Sequence, residues 1–351
     1  MKKIEVKDYA AARPIFEELA DFNESVDSVL ANTAPGEIYV DDLDHPQVGF
    51  AVTPEGHYLA GEPAHNTDYR FLKEIIPPNA YLVFTAEGWV ERLGEIWSNP
   101  AARRHDRCYF RFQAPRFSEW RQHIPSGFTL TRVDQNLLSN ATLKNYAAVV
   151  DWVDHWHSAD YFLQHGFGYC LIEGDTIASW CLADCVNGPK CEIGIMTDGA
   201  YRRRGLAAVV VSAAVDYCAT IGIKQIGWHC LKSNRGSAAV AEKVGFVKVR
   251  DYFAYSWVLP TESPNDLTPE VYRDWALHYE SFVQYGIRYN FRAAEAWALA
   301  GDSQRAIKNL QQMIQPDSKV NPLKPEWLED NWMFDSLRGL PAFEALIKRG
   351  E

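Results

Sequence analysis

Glu192-Ile193-Gly194-Ile195-Met196-Thr197-Asp198-Gly199-Ala200-Tyr201-Arg202-Arg203-Arg204-Gly205-Leu206-Ala207 runs from an apolar, partly β-branched segment through a turn into a long apolar stretch. The first six residues read as a short buried strand, and Asp198-Gly199-Ala200 supplies the turn. From Leu206 to Ile221 only Asp216 is charged, which predicts a helix buried on most of its surface with its N-terminus at Gly205. The free N–H groups of a first helical turn and the positive end of the helix dipole bind phosphate, and a glycine lets the backbone approach closely. Arg202, Arg203 and Arg204 add full charges. The stretch therefore reads as a cradle for a pyrophosphate.

Arg202-x-x-Gly205-x-Ala207 has the R/Q-x-x-G-x-G/A form of the GCN5-related N-acetyltransferases, and the chain resembles that superfamily. Its context agrees: a second strand over Lys224 to Cys230, then Asn234, a helix through Lys243, and Gly245-Phe246. The order N-x-x-S-x-x-x-A-x-K-x-G-F from Asn234 resembles the family's next cofactor element. Gly166-Phe167-Gly168-Tyr169-Cys170, Glu192-Ile193-Gly194-Ile195 and Trp228-His229-Cys230 look like a subgroup that carries an N-terminal extension. The resemblance implies an α/β (α+β) fold with the mixed central sheet of the GNAT acyltransferase fold. An α/β N-terminal domain and an all-α C-terminal tail are expected to flank it.

A chain of 351 residues exceeds one such module. The expected domains are an accessory domain over residues 1–126, the acetyltransferase domain over 127–260 and a helical region over 261–351. A hydrophobic fraction of 47% excludes disorder as a description of the whole. The net charge of -11 argues against a nucleic-acid surface despite the arginine cluster. No apolar run approaches the roughly 20 residues that span a bilayer, and Met1-Lys2-Lys3-Ile4-Glu5 lacks a signal-peptide core, so a cytoplasmic protein without a membrane partner is expected. Seven cysteines, an odd number, suit reduced thiols.

In the first domain, helical periodicity covers Tyr9 to Leu19. Strand-like runs appear at Glu37 to Val40, Val48 to Val52, Tyr58 to Ala60, Tyr81 to Thr85 and Cys108 to Phe112. Asp41-Asp42-Leu43-Asp44-His45 reads as a solvated turn rather than a metal site, and Arg103-Arg104-His105 as a surface patch. From Phe128 the elements follow the order β-α-α-β-β-β-α-β-α-β, with the helical region over Leu137 to Gln164. The tail reads as helices over Pro269 to Gln284, Phe291 to Ala300 and Ser303 to Ile314, with shorter segments near Pro325 and Pro341. Ala294, Trp297, Gly301, Ala306, Leu310 and Met313 have the spacing of one tetratricopeptide-like hairpin. One repeat cannot bury its own face, so the tail implies docking onto the catalytic unit or a second subunit, with a protein-partner or dimer contact possible through it.

Acetyl transfer from a thioester to an amine needs a held, polarised carbonyl, a neutral amine and a route for a proton. The resemblance assigns the pantetheine arm and acetyl oxygen of acetyl-coenzyme A to the backbone of Ile195, Met196 and Thr197. It assigns the pyrophosphate to Arg202, Arg203, Arg204, Gly205, Leu206 and Ala207, and the cofactor arm to Asn234. The same residues would otherwise be core strand, an exposed basic turn and a helix cap. Two candidate bases stand side by side: His229 on the second strand, and Glu192 on the motif strand acting through water. The tyrosine that often serves as acid seven residues after the asparagine is here Ala241, which leaves Tyr252 or Tyr255, or an unassisted thiolate. Asp151, Asp154, His155 and Trp156 suit a cationic acceptor through charge and cation–π contact, or ordinary helix packing. Cys181, Cys185 and Cys191 lack zinc-site spacing, and no metal is expected. The activity expected is acetyl-coenzyme A dependent N-acetylation of a primary amine on a small acceptor, by direct transfer. The alternative is a non-catalytic acyl-coenzyme A sensor whose helical tail recruits a partner.

Overall fold

A computed structural model describes residues 1–64, 67–77, 80–98, 100–257, 268–314, 323, 326–329 and 331–348. Strand β1 (Lys2–Lys3) leads into helices α1 (Tyr9–Phe22) and α2 (Glu24–Leu30). Tyr9, Ala12, Phe16 and Leu19 recur at helical spacing and give α1 its buried face. Asn23 ends it in an extended conformation, and its side-chain oxygen accepts from Val26 N at 3.1 Å, capping α2. Every residue of α2 is buried, so this helix carries two acids, Glu24 and Asp27, into the interior.

Strands β2 (Glu37–Val40), β3 (Gly49–Thr53) and β4 (Gly56–Ala60) form an antiparallel meander, and β5 (Tyr81–Phe84) adds parallel to β4. The short α3 (Leu93–Ile96) precedes β6 (Arg103–Phe112). Then come β7 (Phe128–Arg132) and the helices α4 (Gln135–Leu138), α5 (Tyr146–Val153) and α6 (Ala159–His165). Three strands follow, β8 (Gly168–Glu173), β9 (Thr176–Asn187) and β10 (Lys190–Thr197). The series closes with α7 (Leu206–Thr220), β11 (Gln225–Leu231), α8 (Arg235–Val244) and β12 (Phe246–Ser256). From β7 onward this is the expected order, with the predicted helical region divided into three.

All twelve strands join one mixed sheet, in the order β1-β2-β3-β4-β5-β12-β6-β11-β10-β9-β8-β7. β6 lies between β12 and β11, antiparallel to β11, with Phe110 opposite Trp228 and Tyr109 opposite His229. The first compact unit comprises residues 1–65, 82–89 and 104–254, and the break expected at 126/127 falls inside it. Alternation in a sequence identifies a strand but not its neighbour, so a strand from before the expected break can pair inside the later sheet.

Cys191 Sγ of β10 lies 3.8 Å from Cys218 Sγ of α7. By strand alternation the next residue, Glu192, points to the other face, where α2 brings Glu24. The single charge on α7, Asp216, accepts from the Trp120 indole N–H and the Arg121 guanidinium, each at 3.0 Å. All seven cysteines are buried and free. Among the described residues no helix is long and apolar enough to cross a membrane.

The second unit takes residues 66–81, 90–103 and 255–351. Its helices are α9 (Pro269–Ser281), α10 (Arg288–Leu299), α11 (Ser303–Gln312), α12 (Glu326–Glu329) and α13 (Pro341–Ile347). Gly301, left-handed at φ 81°, and Asp302, which accepts from Arg305 N at 3.0 Å, turn the α10–α11 hairpin. Ala294, Trp297, Ala306, Leu310 and Met313 are buried. Trp275 and Tyr279 of α9, with Phe334 and Phe343, belong to the same cluster, so the hairpin's apolar face has cover within its own unit. The expected boundary at 260/261 and Pro325 lie outside the described residues.

Candidate active site

β10 pairs in parallel with β11 only where Lys190–Glu192 faces Gln225–Gly227. From Ile193 to Thr197 it stays paired with β9 alone, which leaves its other edge without a strand to take its N–H groups. A groove of about 760 Å³ opens here. Ile195, Met196, Thr197, Arg202, Arg203, Gly205, Leu206, Ala207 and Asn234 line it, together with Ser237 and Lys243. Arg204 does not; its guanidinium stacks over the rings of Phe128 and Tyr201 at 5.6 and 5.3 Å.

Arg203 and Gly205 both take left-handed backbone, at φ 62° and 81°. A Cβ on Gly205 would meet no protein atom within 4 Å, so the glycine preserves the turn and the space in the groove. α7 starts without a capping side chain, leaving its first N–H groups open. Asn234 caps α8 by accepting from Ser237 N at 3.1 Å and also lines the groove, so its two readings coexist. These features fit a pyrophosphate and an extended thioester arm, the chemistry expected of acetyl-coenzyme A.

Three residues along β10 from the groove, Glu192 joins a buried polar centre. His229 Nε2 lies 3.9 Å from Glu192 Oε1 and 3.9 Å from Glu24 Oε2, with all three side chains at most 5% exposed. Tyr109 donates to Glu24 Oε1 at 2.6 Å and Gln225 to the same oxygen at 3.0 Å. The Tyr109 ring also stacks on His229 at 4.7 Å. Arg107 donates to the Tyr252 hydroxyl oxygen at 2.6 Å, and that hydroxyl meets His229 Nδ1 at 2.8 Å. Nδ1–H donating to the Tyr252 oxygen leaves Nε2 unprotonated toward the two carboxyls, whereas the hydroxyl donating to Nδ1 puts Nε2–H between them. Among the described residues Glu24 Oε2, Glu192 Oε2 and His229 Nε2 are buried with no hydrogen-bond partner. Gly227 makes the arrangement possible, because a Cβ there would lie 2.4 Å from Glu24 Oε2.

Burial pushes His229 below its ordinary value, against the pull of Glu24, so the imidazole is neutral. Burial also pushes Glu192 well above the carboxylate range, and the neighbouring Glu55, Glu24 and Asp184 push the same way. Glu24 goes the other way: burial raises it, but His229 and the donors Gln225 and Tyr109 outweigh that and hold it low. Tyr252 thus stands beside a candidate base, while Ala241, at the usual acid position, is fully buried in the core.

Next to this centre is a second acidic group that sequence reading missed. Opposite Glu192 and Ile193 of β10, β9 presents Cys185 and Ala183, leaving Asp184 as the extra residue of a β-bulge. Its carboxyl accepts from the Trp152 indole N–H. Oxygens of Asp184, Glu192 and Glu55, the last in the β3–β4 turn and exposed, lie within 4.8 Å of one another, as do the ligand atoms of Glu24, Glu192 and His229. Either grouping has donor types that suit a cation. The four residues predicted to hold the acceptor fall differently: Asp151, Asp154 and His155 are exposed. Trp156 is core, its indole donating to Ala183 O at 3.3 Å. Of that segment, His155 is near enough for its charge to act on Glu55, and Trp152 reaches Asp184, its ring so close over Gly194 that a Cβ there would lie 2.1 Å away.

The sequence model of the GNAT acetyltransferase family matches residues 14–255. The chain belongs to this family. Uncharacterized N-acetyltransferase YdfB of Bacillus subtilis (strain 168) is 27% identical over 262 residues, spanning 73% of this chain and 98% of that protein. A GCN5-related N-acetyltransferase-like protein from Streptococcus suis 89/1591 superimposes with a TM-score of 0.60 at 22% identity, covering 72% of this chain and 98% of that one; it supports the GNAT fold. The protein is therefore an acetyltransferase of the GNAT type, and a non-catalytic sensor is not favoured.

Proposed function

We propose that this GNAT protein transfers an acetyl group from acetyl-coenzyme A to a primary amine of a small-molecule acceptor, directly, with both substrates bound. The observation that carries the proposal is the meeting, in one groove, of an unpaired β10 edge and an uncapped helix start bearing Arg202, Arg203 and Gly205. Acetyl-coenzyme A supplies the acetyl group as a thioester: a C–N bond forms, the C–S bond breaks, the amine gives up a proton and the thiol departs. Backbone N–H groups from Ile195 to Thr197 orient the thioester oxygen. The first turn of α7 with Arg202 and Arg203 holds the pyrophosphate, and Asn234 and Ser237 flank the arm.

For the proton we assign His229 in the tautomer with Nδ1–H donating to Tyr252 and Nε2 unprotonated, since the ring is neutral and fixed by Tyr109 and Tyr252; Glu192 faces the same space. The helical hairpin of the second unit we read as tetratricopeptide-like; its apolar face is covered within that unit, so a protein partner or a second copy would meet only its outer face. Seven free buried thiols support a reducing, cytoplasmic setting.

Calorimetry with acetyl-coenzyme A and thiol release against an amine panel test the reading. Gly205→Val strains the left-handed turn and fills the phosphate space, and it is expected to weaken cofactor binding by at least about tenfold with the circular dichroism spectrum kept. Unchanged affinity would sink the pyrophosphate assignment. Tight binding with no thiol released for any amine would restore the sensor.

A further inference from the structure

In the acidic group of Glu55, Asp184 and Glu192, the first two have no role in the transfer just described. Asp184 and Glu192 are 8% and 4% exposed, and Glu192 Oε2 has no hydrogen-bond partner among the described residues. Among the described residues no lysine or arginine forms a salt bridge with any of the three. The charges of Arg107 and His155 reach the group without pairing with it, and carboxyls gathered at this spacing without a paired counter-charge call for a cation. Glu192 belongs to this group and to the His229 centre alike, so two cation-seeking positions adjoin, separated by one shared carboxyl. Glu55 opens the group to solvent.

We infer that Glu55, Asp184 and Glu192 bind a second ammonium group of the acceptor, which is a small diamine carrying its two amines a few bonds apart. The inference rests on the transferase reading for the first amine, the one acetylated beside His229. Trp152, whose indole holds Asp184, and Tyr58, near enough to feel the charges of Glu192 and Glu55, put aromatic surface beside the carboxyls. That surface suits an organic cation on a methylene stem better than a hydrated metal ion. Without a cation, burial first and mutual repulsion second push the carboxyls of Asp184 and Glu192 well up. A bound ammonium restores the charge they have lost.

The test uses the full-length protein with propylamine and with diaminopropane bearing its amines on the terminal carbons. Thiol release gives kcat/KM, and calorimetry in the presence of coenzyme A reads binding without turnover. The diamine is expected to exceed the monoamine by at least about tenfold, the worth of a charge-assisted contact. That ratio is expected to fall below about threefold in Glu55→Gln and in Asp184→Asn, each of which removes part of the contact. Glu55 is an exposed turn residue and its amide keeps the same size, so that variant folds; the amide oxygen introduced at 184 can still accept from Trp152.

Thiol release from both amines at equal kcat/KM overturns the subsite and leaves the transferase reading standing. Preferential diamine binding without thiol release from either keeps the subsite and removes the transferase reading. Mg²⁺ or Zn²⁺ binding more tightly than the diamine, and lost in the same variants, overturns the ammonium in favour of a metal ion. Neither binding nor release overturns both readings.

Discussion

His229 and Glu192 face one space, and burial moves them in opposite directions on the pH scale. A base must be unprotonated to act. His229, held below the ordinary histidine value, is ready throughout the neutral range, and any limb it imposes on kcat/KM lies below about 6.5. Glu192, held well above the carboxylate range, would impose its limb at higher pH than a normal glutamate. The amine's own ionisation adds a limb far to the alkaline side, common to every variant. His229→Gln is therefore expected to lower kcat by about a hundredfold, the contribution of a placed general base, and to erase the low limb. Glu192→Gln is expected to leave that limb in place. The reverse pattern in the two pH profiles would make Glu192 the base. Tyr252→Phe is a useful companion, because removing the Nδ1 contact shifts the His229 limb only if His229 imposes it.

Among the elements, α2 does the least visible work in the sequence and the most in the site. It carries Glu24 to His229. Its Asp27 accepts from Asn187 and Lys190 at 3.1 Å each and pairs with Arg13, fixing the helix to the end of the β9–β10 hairpin. Gly227→Ala drives a methyl into the Glu24 carboxyl and is expected to cost about 1–3 kcal/mol, the range for overpacking a filled site. Denaturant titration measures it; a change within about 0.5 kcal/mol, the range of neutral surface substitutions, would mean that Glu24 is free to move aside. The β10–turn–α7 passage was legible because glycine, arginine and an apolar helix each leave a mark on local sequence, and the groove gathers eight of the nine cofactor residues read from it, with Asn234. Glu24 and Asp184 were not legible by periodicity. One sits in a short helix buried on every side, and the other is moved out of strand alternation by a bulge. Two signals did exist: a lone acid inside the apolar run Ile177 to Val186, and the glycines at 194 and 227 inside strands, where a missing side chain marks close approach. In the acceptor segment Trp152 reaches the acidic group while Trp156 faces the core, one helical turn apart.

At the scale of the whole molecule, the family match stops at residue 255, yet the second unit also draws on residues 66–81 and 90–103 from within the matched span. A linear reading into three successive segments could not show this, because the chain leaves the first unit and returns to it twice. The second unit is therefore more than an appendix that can be cut away at its start. Trp97, from the early insert, packs edge-on against Phe282 at 4.8 Å and His278 at 5.8 Å, and its carbonyl accepts from the Trp257 indole at 3.2 Å. Trp257 in turn accepts from the Trp275 indole at 2.7 Å. A chain ending at residue 257 removes α9 to α13 and bares the aromatic faces that those helices cover, at about 1.5–3 kcal/mol for each large side chain returned to water. It is expected to bind a hydrophobic dye strongly and to aggregate in size-exclusion chromatography, whatever its content of sheet. A truncated chain that stays monomeric, leaves the dye unbound and melts with the parent would show that residues 66–81 and 90–103 find their cover without the helices that follow.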